Sequence, residues 1–452
     1  MDMLRTIWFK RVKMVPEGKN LPCRNEAIGC LVRERIHGLW PLALLCVLVV
    51  LLDFCSRESA QAGTPGLITV FSEGTIKNTI ESSTVTGNIN NIVIETQFMN
   101  VTTRLNAIRN SEEGRRMRGI SGEMISGDLY AGLLSDAGFG YQSKSDETSF
   151  LSNLGVFVQG ADFLGDKELT RLPAFDFDNK DIGLGVDYKI ANSFVIGTLF
   201  NYTNSDVDFN LFGESTEVST NSLSVYGTYN VTNNIYIDGY GMYGWNNFDS
   251  KRHVSYSTLE IAQNNNVTFN QADQMLRIDN TGTLYTMGIT SGYELNFGAI
   301  TVGPLGRLFY AKTAVEGFKK TINISDVDKE TLEVGAQETD SLTMNLGMET
   351  SYAFKTQGRL QKIHLGVLIP QVRAEWVHEY KNDSHNLEAS LVQANQIIST
   401  STADPDRDYF KVGCGLSAIF AGGISAYIQY EEVLGLSNIT AHNVAVGLRV
   451  EL

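Results

Sequence analysis

The most constraining feature of this chain is an alternation of apolar with small or polar residues, which recurs from about residue 151 onward. The stretch HNVAVGLRVEL shows it well, since every second residue from Val444 to Leu452 is apolar. Successive side chains of a strand point to opposite faces, so this pattern predicts strands with one apolar and one polar face. We find such runs starting near residues 153, 180, 193, 219, 234, 283, 299, 340, 362, 408, 423 and 442.

The connections between these runs alternate in length. Short turns such as Ala191-Asn192 follow the even-numbered runs, and the longest connections cover 251–279, 313–338 and 381–406. An even strand count, short turns on one side and long loops on the other are typical of outer-membrane barrels, whose backbone groups must all be paired. The strands of a soluble β-sandwich also alternate apolar and polar residues. Their connections, however, do not usually alternate between short and long through twelve strands. We therefore predict an all-β fold, a membrane-spanning 12-stranded antiparallel up-and-down β-barrel over residues 151–452.

Aromatic and charged residues fit this interpretation. Tyrosines and tryptophans lie towards strand ends, where interfacial girdles are expected, although aromatic residues favour strands in any case. Charged residues on the polar face would meet in the barrel interior and need partners. We predict a structural ion-pair network there, with tuning of ion selectivity as the alternative, from Asp238, Arg307, Glu349, Arg373, Glu375, Arg449 and Glu451.

The N-terminal region has the pattern of a secretion signal. Basic residues precede the uncharged run Leu39–Leu52, and Ala60-Gln61-Ala62 then stands before Gly63. This order is typical of a cleaved signal peptide, here with an extended basic region over residues 1–62, and the apolar run is short for a membrane-spanning helix. An uncleaved anchor is the alternative. We place the predicted cleavage between Ala62 and Gly63.

Residues 63–95 are rich in Thr, Ser, Asn and Ile and form at most a short passenger segment, while residues 96–150 form a predicted helix and junction. In TQFMNVTTRLNAIRN, four apolar residues recur at helical spacing: Phe98, Val101, Leu105 and Ile108. The remaining residues of that stretch are polar. Such a helix could lie inside a polar-lined barrel or pack elsewhere as an ordinary amphipathic helix.

Composition and motifs argue against several other functions. The formal net charge is −15, whereas a nucleic-acid partner would favour a basic face. Four of the five cysteines lie before residue 56, and no pair has a zinc-site spacing. The stretch Gly160–Lys167 has phosphate-loop glycine spacing, but Asp166 replaces the required lysine. We predict no enzyme activity, no cofactor and no metal site.

Two further clusters contain residue types that can carry chemistry. His378 and Glu379 could form a histidine–acid site, and three aspartates at 176, 178 and 181 could hold calcium. A hydrogen-bonded histidine and a solvated acidic loop are the simpler interpretations of the two clusters.

The order of several stretches resembles the translocator domain of autotransporters, the type V secretion proteins. They include IGLGVDYKIANSFVIGTLFNYTNSDVDF, ETDSLTMNLGMETSYAF, PQVRAEWVHEY and VAVGLRVEL. The resemblance implies a helix threading the pore, with Phe98, Val101, Arg104, Leu105, Ile108 and Arg109 in it. It further implies that the barrel-assembly machinery reads an apolar terminal strand, here Val446, Leu448, Val450 and Leu452. Met99-Asn100 replaces the Asn-Asn pair of self-cleaving relatives, so self-cleavage is not expected.

The sequence thus predicts a monomeric translocator in the outer membrane of a bacterium, in contact with lipid and using the general secretion and barrel-assembly machinery. It would export or display its own short N-terminal segment. The alternative is an outer-membrane channel or adhesin-like barrel that acts through its pore or its long loops.

Overall fold

The computed structural model describes residues 66–71, six helical residues between 94 and 108, and most of 153–451. Within the last range, the described part excludes 168–173, 192, 211–212, 262–266, 324–328, 356–358, 361–362, 382–385, 394, 402–405, 421–423 and 438. The chain divides into two units, of which the first, Met1–Gly66, lies almost entirely outside the described residues.

The described part of the chain is dominated by twenty strands. In chain order they are β1 (Gly66–Phe71), β2 (Leu154–Lys167), β3 (Phe175–Ala191), β4 (Phe194–Phe209), β5 (Ser215–Asn230), β6 (Ile235–Ile261), β7 (Val267–Tyr293), β8 (Leu295–Phe297), β9 (Ile300–Val315), β10 (Phe318–Asn323), β11 (Lys329–Val334), β12 (Gln337–Tyr352), β13 (Phe354–Lys355), β14 (Arg359–Leu360), β15 (Ile363–Glu379), β16 (Asn386–Leu391), β17 (Gln396–Ser401), β18 (Asp408–Phe420), β19 (Ile424–Leu434) and β20 (Ile439–Glu451).

Twelve of these strands close into an antiparallel β-barrel, which confirms the predicted fold. The hydrogen-bonded order around the ring is β6-β5-β4-β3-β2-β20-β19-β18-β15-β12-β9-β7, and β6 pairs with β7. The strand β2 therefore lies beside β20, with Gly155 opposite Glu451 and Lys167 opposite Ile439. Closure pairs the backbone groups of every barrel strand, which a lipid environment requires.

Successive residues of each strand point alternately outward and inward, which separates an apolar outer surface from a polar interior. On β3, Ile182 and Leu184 are 59% and 61% exposed, whereas Asp181 and Asp187 on the opposite face are buried. The apolar band continues around the barrel, and the aromatic residues predicted for its edges are outward-facing: Tyr202, Tyr229, Tyr243, Trp245, Tyr293, Tyr310, Tyr352, Trp376 and Tyr380. This distribution is that of a sheet surrounded by lipid.

The prediction that residues 251–279 form a long loop is wrong. Strands β6 and β7 remain paired from Ile235–Tyr293 to Ile261–Val267, so these residues form an extension of the β6–β7 hairpin. Above the membrane no side of a strand must be apolar, so this segment lacks the alternation that marks the barrel strands.

The other two long connections also contain strands. They contribute a separate four-stranded sheet of order β10-β11-β16-β17, which we call the cap sheet. Its apolar side packs on the β6–β7 extension in one buried cluster, formed by Val254, Leu276, Ile278, Ile322, Leu332, Val334, Ala389 and Leu391. The long-connection end of the barrel therefore carries a folded structure in place of the predicted loops.

Candidate functional site: the barrel lumen and its mouth

Residues that precede the barrel contact its inner wall. Val101, Leu105 and Ile108 are helical and at most 4% exposed. They form a buried cluster with inward-facing residues of β2, β4 and β5, namely Phe157, Val195, Leu199 and Tyr226. We call this part of the wall the helix seat.

A fourth helical residue brings a charge into the lumen. The guanidinium of Arg104 donates a short hydrogen bond to Asp187 of β3, and the two side chains are 2% and 1% exposed. The same guanidinium lies 4.3 Å from the ring centroid of Phe157, within cation–π range. A buried cation with both a carboxylate and an aromatic face is strongly positioned.

The helical residues also have a direction along the barrel. Ile94 lies in a different cluster, with Met242, Leu284, Phe309 and Ala311. Ala311 is close to the end of β9 at the long connections, whereas Phe157 and Val195 lie near the short turns. The chain therefore runs from the long-connection end at residue 94 towards the short-turn end at residue 108.

Asp187 joins the helical segment to the terminal strand of the barrel. Arg449 of β20 donates to Asp187 Oδ1 at 2.9 Å and also pairs with Glu451. The intervening residue on β2 is Gly155, which lies opposite Asp187, and a Cβ atom there would overlap the Arg449 guanidinium. Glycine thus lets a cation reach an acid two strands away.

A second ion-pair network lies on the other side of the lumen. Arg307 of β9 pairs with Glu375 of β15 at 3.0 Å, and Glu375 pairs with Arg373 at 3.2 Å. Arg373 then reaches Glu431 of β19 at 2.8 Å, across Gly413 of β18. All four charged side chains are at most 6% exposed. We call this group the wall ladder.

Two further predicted lumen charges are also located. Asp238 of β6 is 3% exposed, and Glu349 of β12 lies opposite Arg373 in register. The inward-facing residues of β4 and β5 are uncharged, and Thr203 of β4 donates a hydrogen bond at 2.7 Å to Asp181 of β3. The ion pairs of the lumen therefore lie in the wall ladder and around Asp187.

The mouth at the long connections is apolar. Above the lumen charges, inward-facing residues of β20, β2 to β6 and β9 form one buried cluster. We call it the mouth cluster: Phe163, Phe175, Phe177, Val207, Phe209, Val218, Phe248, Val315 and Ala441. Phe175 is 1% exposed and Val218 is fully buried. Nearby, burial lowers the pKa of Lys167, while the Asp406 carboxylate opposes that shift. Apolar side chains thus fill this part of the mouth.

Several predicted residues lie outside the described part of the chain. They are Ala62 and Gly63 at the predicted cleavage site, Phe98 and Arg109 of the predicted pore helix, and Leu452. The other three residues of the predicted assembly signal, Val446, Leu448 and Val450, face outward on β20 and are 46%, 46% and 36% exposed.

The candidate chemical motifs do not converge on sites. Gly160–Lys167 lies within the extended strand β2, so it forms no phosphate-binding loop. Asp176 and Asp178 face outward, whereas Asp181 faces the lumen.

The predicted histidine–acid pair is also divided between the two faces of its strand. His378 Nδ1 lies 2.9 Å from Asp408 Oδ1 at the outer surface, and the adjacent Glu379 faces inward, where it accepts a hydrogen bond from Ser341. Within the described residues, no group of three histidine, cysteine or acidic side chains is arranged to hold a metal ion.

Two important acids were missed from the sequence. Asp187 and Glu431 are the acceptors for Arg449 and Arg373, yet neither was among the predicted lumen charges. Strand parity could have found both, since Asp187 alternates with the outward-facing Val186 and Tyr188.

No helix within the described ranges is long and apolar enough to cross a bilayer. A family model, Autotransporter beta-domain, matches residues 156–431. Curated relatives include Outer membrane protein A of Rickettsia rickettsii, 23% identical over 350 residues, and Outer membrane protein B of Rickettsia japonica, 23% identical over 283 residues. These matches cover 76% and 60% of this chain but only 14% and 15% of the relatives' own length.

Similar solved structures are the translocator domain of NalP from Neisseria meningitidis and the beta domain of the Bordetella autotransporter BrkA. Their TM-scores are 0.47 and 0.46, with 13% and 15% identity; the matches cover 72% and 66% of this chain and 96% and 100% of the solved chains. Because the family match spans more than half of the sequence, the chain belongs to the autotransporter β-domain family, and it is a β-barrel of the bacterial outer membrane.

Proposed function

We propose that this protein is a translocator that carries its own N-terminal segment through the barrel lumen and displays it on the cell surface. The observation that carries the proposal is the path of the chain. Helical residues from 94 to 108 contact inward-facing residues, and they run from the long-connection end to the short-turn end. In outer-membrane barrels the short turns face the periplasm, so residues before 94 would lie outside.

The position of β1 supports the same path. Along β6, β5 pairs with Tyr236 to Lys251, and β7 pairs with the whole strand from Ile235 to Ile261. Since β1 is also a neighbour of β6, the edge left for it is 252–261, in the hairpin extension beyond the membrane. The N-terminal segment then connects the outer surface with the lumen.

The lumen contacts suggest how the segment is held after export. The helix seat supplies apolar contacts to Leu105 and Ile108, and Asp187 supplies the acceptor for Arg104. A buried ion pair broken on one side costs several kcal/mol, roughly 3–5, so the pair favours one register of the segment. The residues involved bind and orient the segment, and the function needs no reacting group.

The alternative function, an open channel, has less support. Leu199 and Tyr226 of the inner wall are covered by the helical residues, and buried side chains of the mouth cluster lie above them. A conducting pore would leave more of these side chains exposed.

The proposal includes the predicted partners. Lipid contacts the outward apolar band, the outward residues of β20 form the surface that the barrel-assembly machinery reads, and the signal peptide directs export to the periplasm. A closed barrel leaves no long exposed sheet edge within the membrane, which favours a monomer.

An epitope tag after Thr64 tests the proposed path. We expect antibody to label this tag on intact cells. Two matched tags calibrate the assay: one within 262–266, between β6 and β7, should label on intact cells, and one within 231–234, between β5 and β6, only after permeabilisation. If the tag after Thr64 behaves like the 231–234 tag, the segment remains in the periplasm and the proposed function is wrong.

A further inference from the structure

We propose that β1 is a retention strand, which keeps the N-terminal segment bound to the outer surface even when its covalent connection to the barrel is cut. The proposal rests on the translocator function above and adds a specific interaction to it. The binding partner of β1 is the extracellular edge of β6, and the contact is addition of a strand to a sheet.

The edge of β6 is suited to this contact because of a difference in strand length. The strand β5 ends its pairing at Lys251, while β6 continues for ten residues to Ile261 with β7 on its other side. A strand edge carries a row of backbone donors and acceptors, which readily pair with an added strand. The sheet order puts β1 beside β6, next to this extension.

The β6–β7 hairpin extension is held in place by packing and hydrogen bonds, which favours addition of a strand to its edge. Val254 of β6 and Leu276 of β7 are buried against the cap sheet, at 1% and 2% exposure. At its base, Arg252 is 1% exposed and donates to the Ser215 carbonyl at 3.0 Å and to Thr216 Oγ1 at 2.6 Å. These contacts fix the hairpin to β5 and to the cap sheet, and none of them involves β1.

The sequence of β1 fits the role of an added strand. GLITVF contains no charged residue and no proline, and three of its six residues are β-branched. Such residues favour strands, and a six-residue strand can make several main-chain hydrogen bonds along one edge.

The experiment uses the full chain in cells, with an epitope after Thr64 and a site for a sequence-specific protease inserted after Gly87. Protease is added to intact cells, and the tagged fragment is measured on the cells and in the medium. The probe is a proline scan through Leu67, Ile68, Thr69 and Val70, with Thr79→Pro as a matched control outside β1.

We expect the unsubstituted fragment and the Thr79→Pro fragment to stay on the cells after cleavage. In an edge strand only every second N–H faces the partner strand. Proline should therefore speed release of the tagged fragment at alternate positions of the scan. Loss of one backbone hydrogen bond should increase the release rate by about fivefold. Release of the unsubstituted fragment, or equal retention across the scan, would overturn the retention strand. Absence of surface labelling before protease is added would instead refute the proposed function.

Discussion

The two ion-pair networks of the lumen differ in where their charges come from. The wall ladder, from Arg307 to Glu431, is built only from barrel strands. The network at Asp187 combines Arg449 of the barrel with Arg104 of the preceding segment. The first network can form in any closed barrel of this sequence, whereas the second is complete only when the segment is in the lumen. The wall ladder therefore stabilises the barrel wall alone. The network at Asp187 forms completely only when the N-terminal segment occupies the lumen.

The largest expected effect comes from breaking the wall ladder. Arg373→Leu leaves Glu431 buried without its cation, so the free energy of unfolding should fall by about 3–5 kcal/mol. The folded fraction in denaturant, read from gel mobility, measures it. The loss should be the same in an Arg104→Ala background, and Arg373→Leu with Glu431→Leu should be less destabilised than Arg373→Leu alone. A loss that depends on residue 104 would contradict the separation of the two networks.

A smaller effect is expected at the network that the segment completes. In a double-mutant cycle, Asp187→Asn and Arg104→Gln should show a coupling of about 1–3 kcal/mol in unfolding free energy, because the two side chains share a buried hydrogen bond. The matched cycle of Arg104→Gln with Glu375→Gln should give about zero, within 0.5 kcal/mol. If the two cycles agree, Arg104 does not distinguish the networks.

Glycine between the charged residues provides a third test. Gly155→Ala places a methyl group where the Arg449 guanidinium crosses to Asp187, and overpacking of this kind costs about 1–3 kcal/mol. Unfolding in denaturant again measures the loss. The control is Gly239→Ala on β6, where an added Cβ would meet no atom within 4 Å. Equal losses in the two variants would show that the crossing path does not matter.

The smallest effect is expected outside the membrane, at the base of the hairpin extension. Arg277 donates hydrogen bonds to Asp249, which lowers the pKa of Asp249 below its usual value. Since the folded-state pKa is depressed, the contribution to stability is present at neutral pH and is lost as pH falls through that lowered value. Asp249→Asn should therefore lower the thermal midpoint slightly at pH 7 and not at strongly acidic pH. A difference that grows on acidification would contradict the pair.

The barrel was predictable because lipid imposes a strict alternation. Residues such as Ile182 and Leu184 must be apolar, so the strands within the membrane were located to within a few residues. Outside the membrane that requirement ends. The β6–β7 extension has mixed polarity on both faces, and only its packing on the cap sheet reveals Val254 and Leu276 as core residues.

The lumen was only partly predictable. Parity alone assigns Arg307, Arg373, Glu375 and Arg449 to the interior, because they alternate with outward-facing residues. Their partners depend on strand register and on glycines that let side chains cross between strands. The pair of Arg104 and Asp187 joins residues 83 positions apart, and no local pattern encodes it.

The most direct test of the central claim is a disulfide between the N-terminal segment and the lumen wall. In a Cys414→Ser background, Leu105→Cys is combined with Leu199→Cys, which lies in the helix seat, or with Phe200→Cys, the neighbouring residue of β4 that faces lipid and is 49% exposed. Oxidation on intact cells, followed by cleavage at a protease site inserted between residues 110 and 150, shows whether the two fragments remain joined. We predict joining for the 105–199 pair and not for the 105–200 pair. No joining in the first pair, or equal joining in both, would mean that the segment does not pass through the lumen.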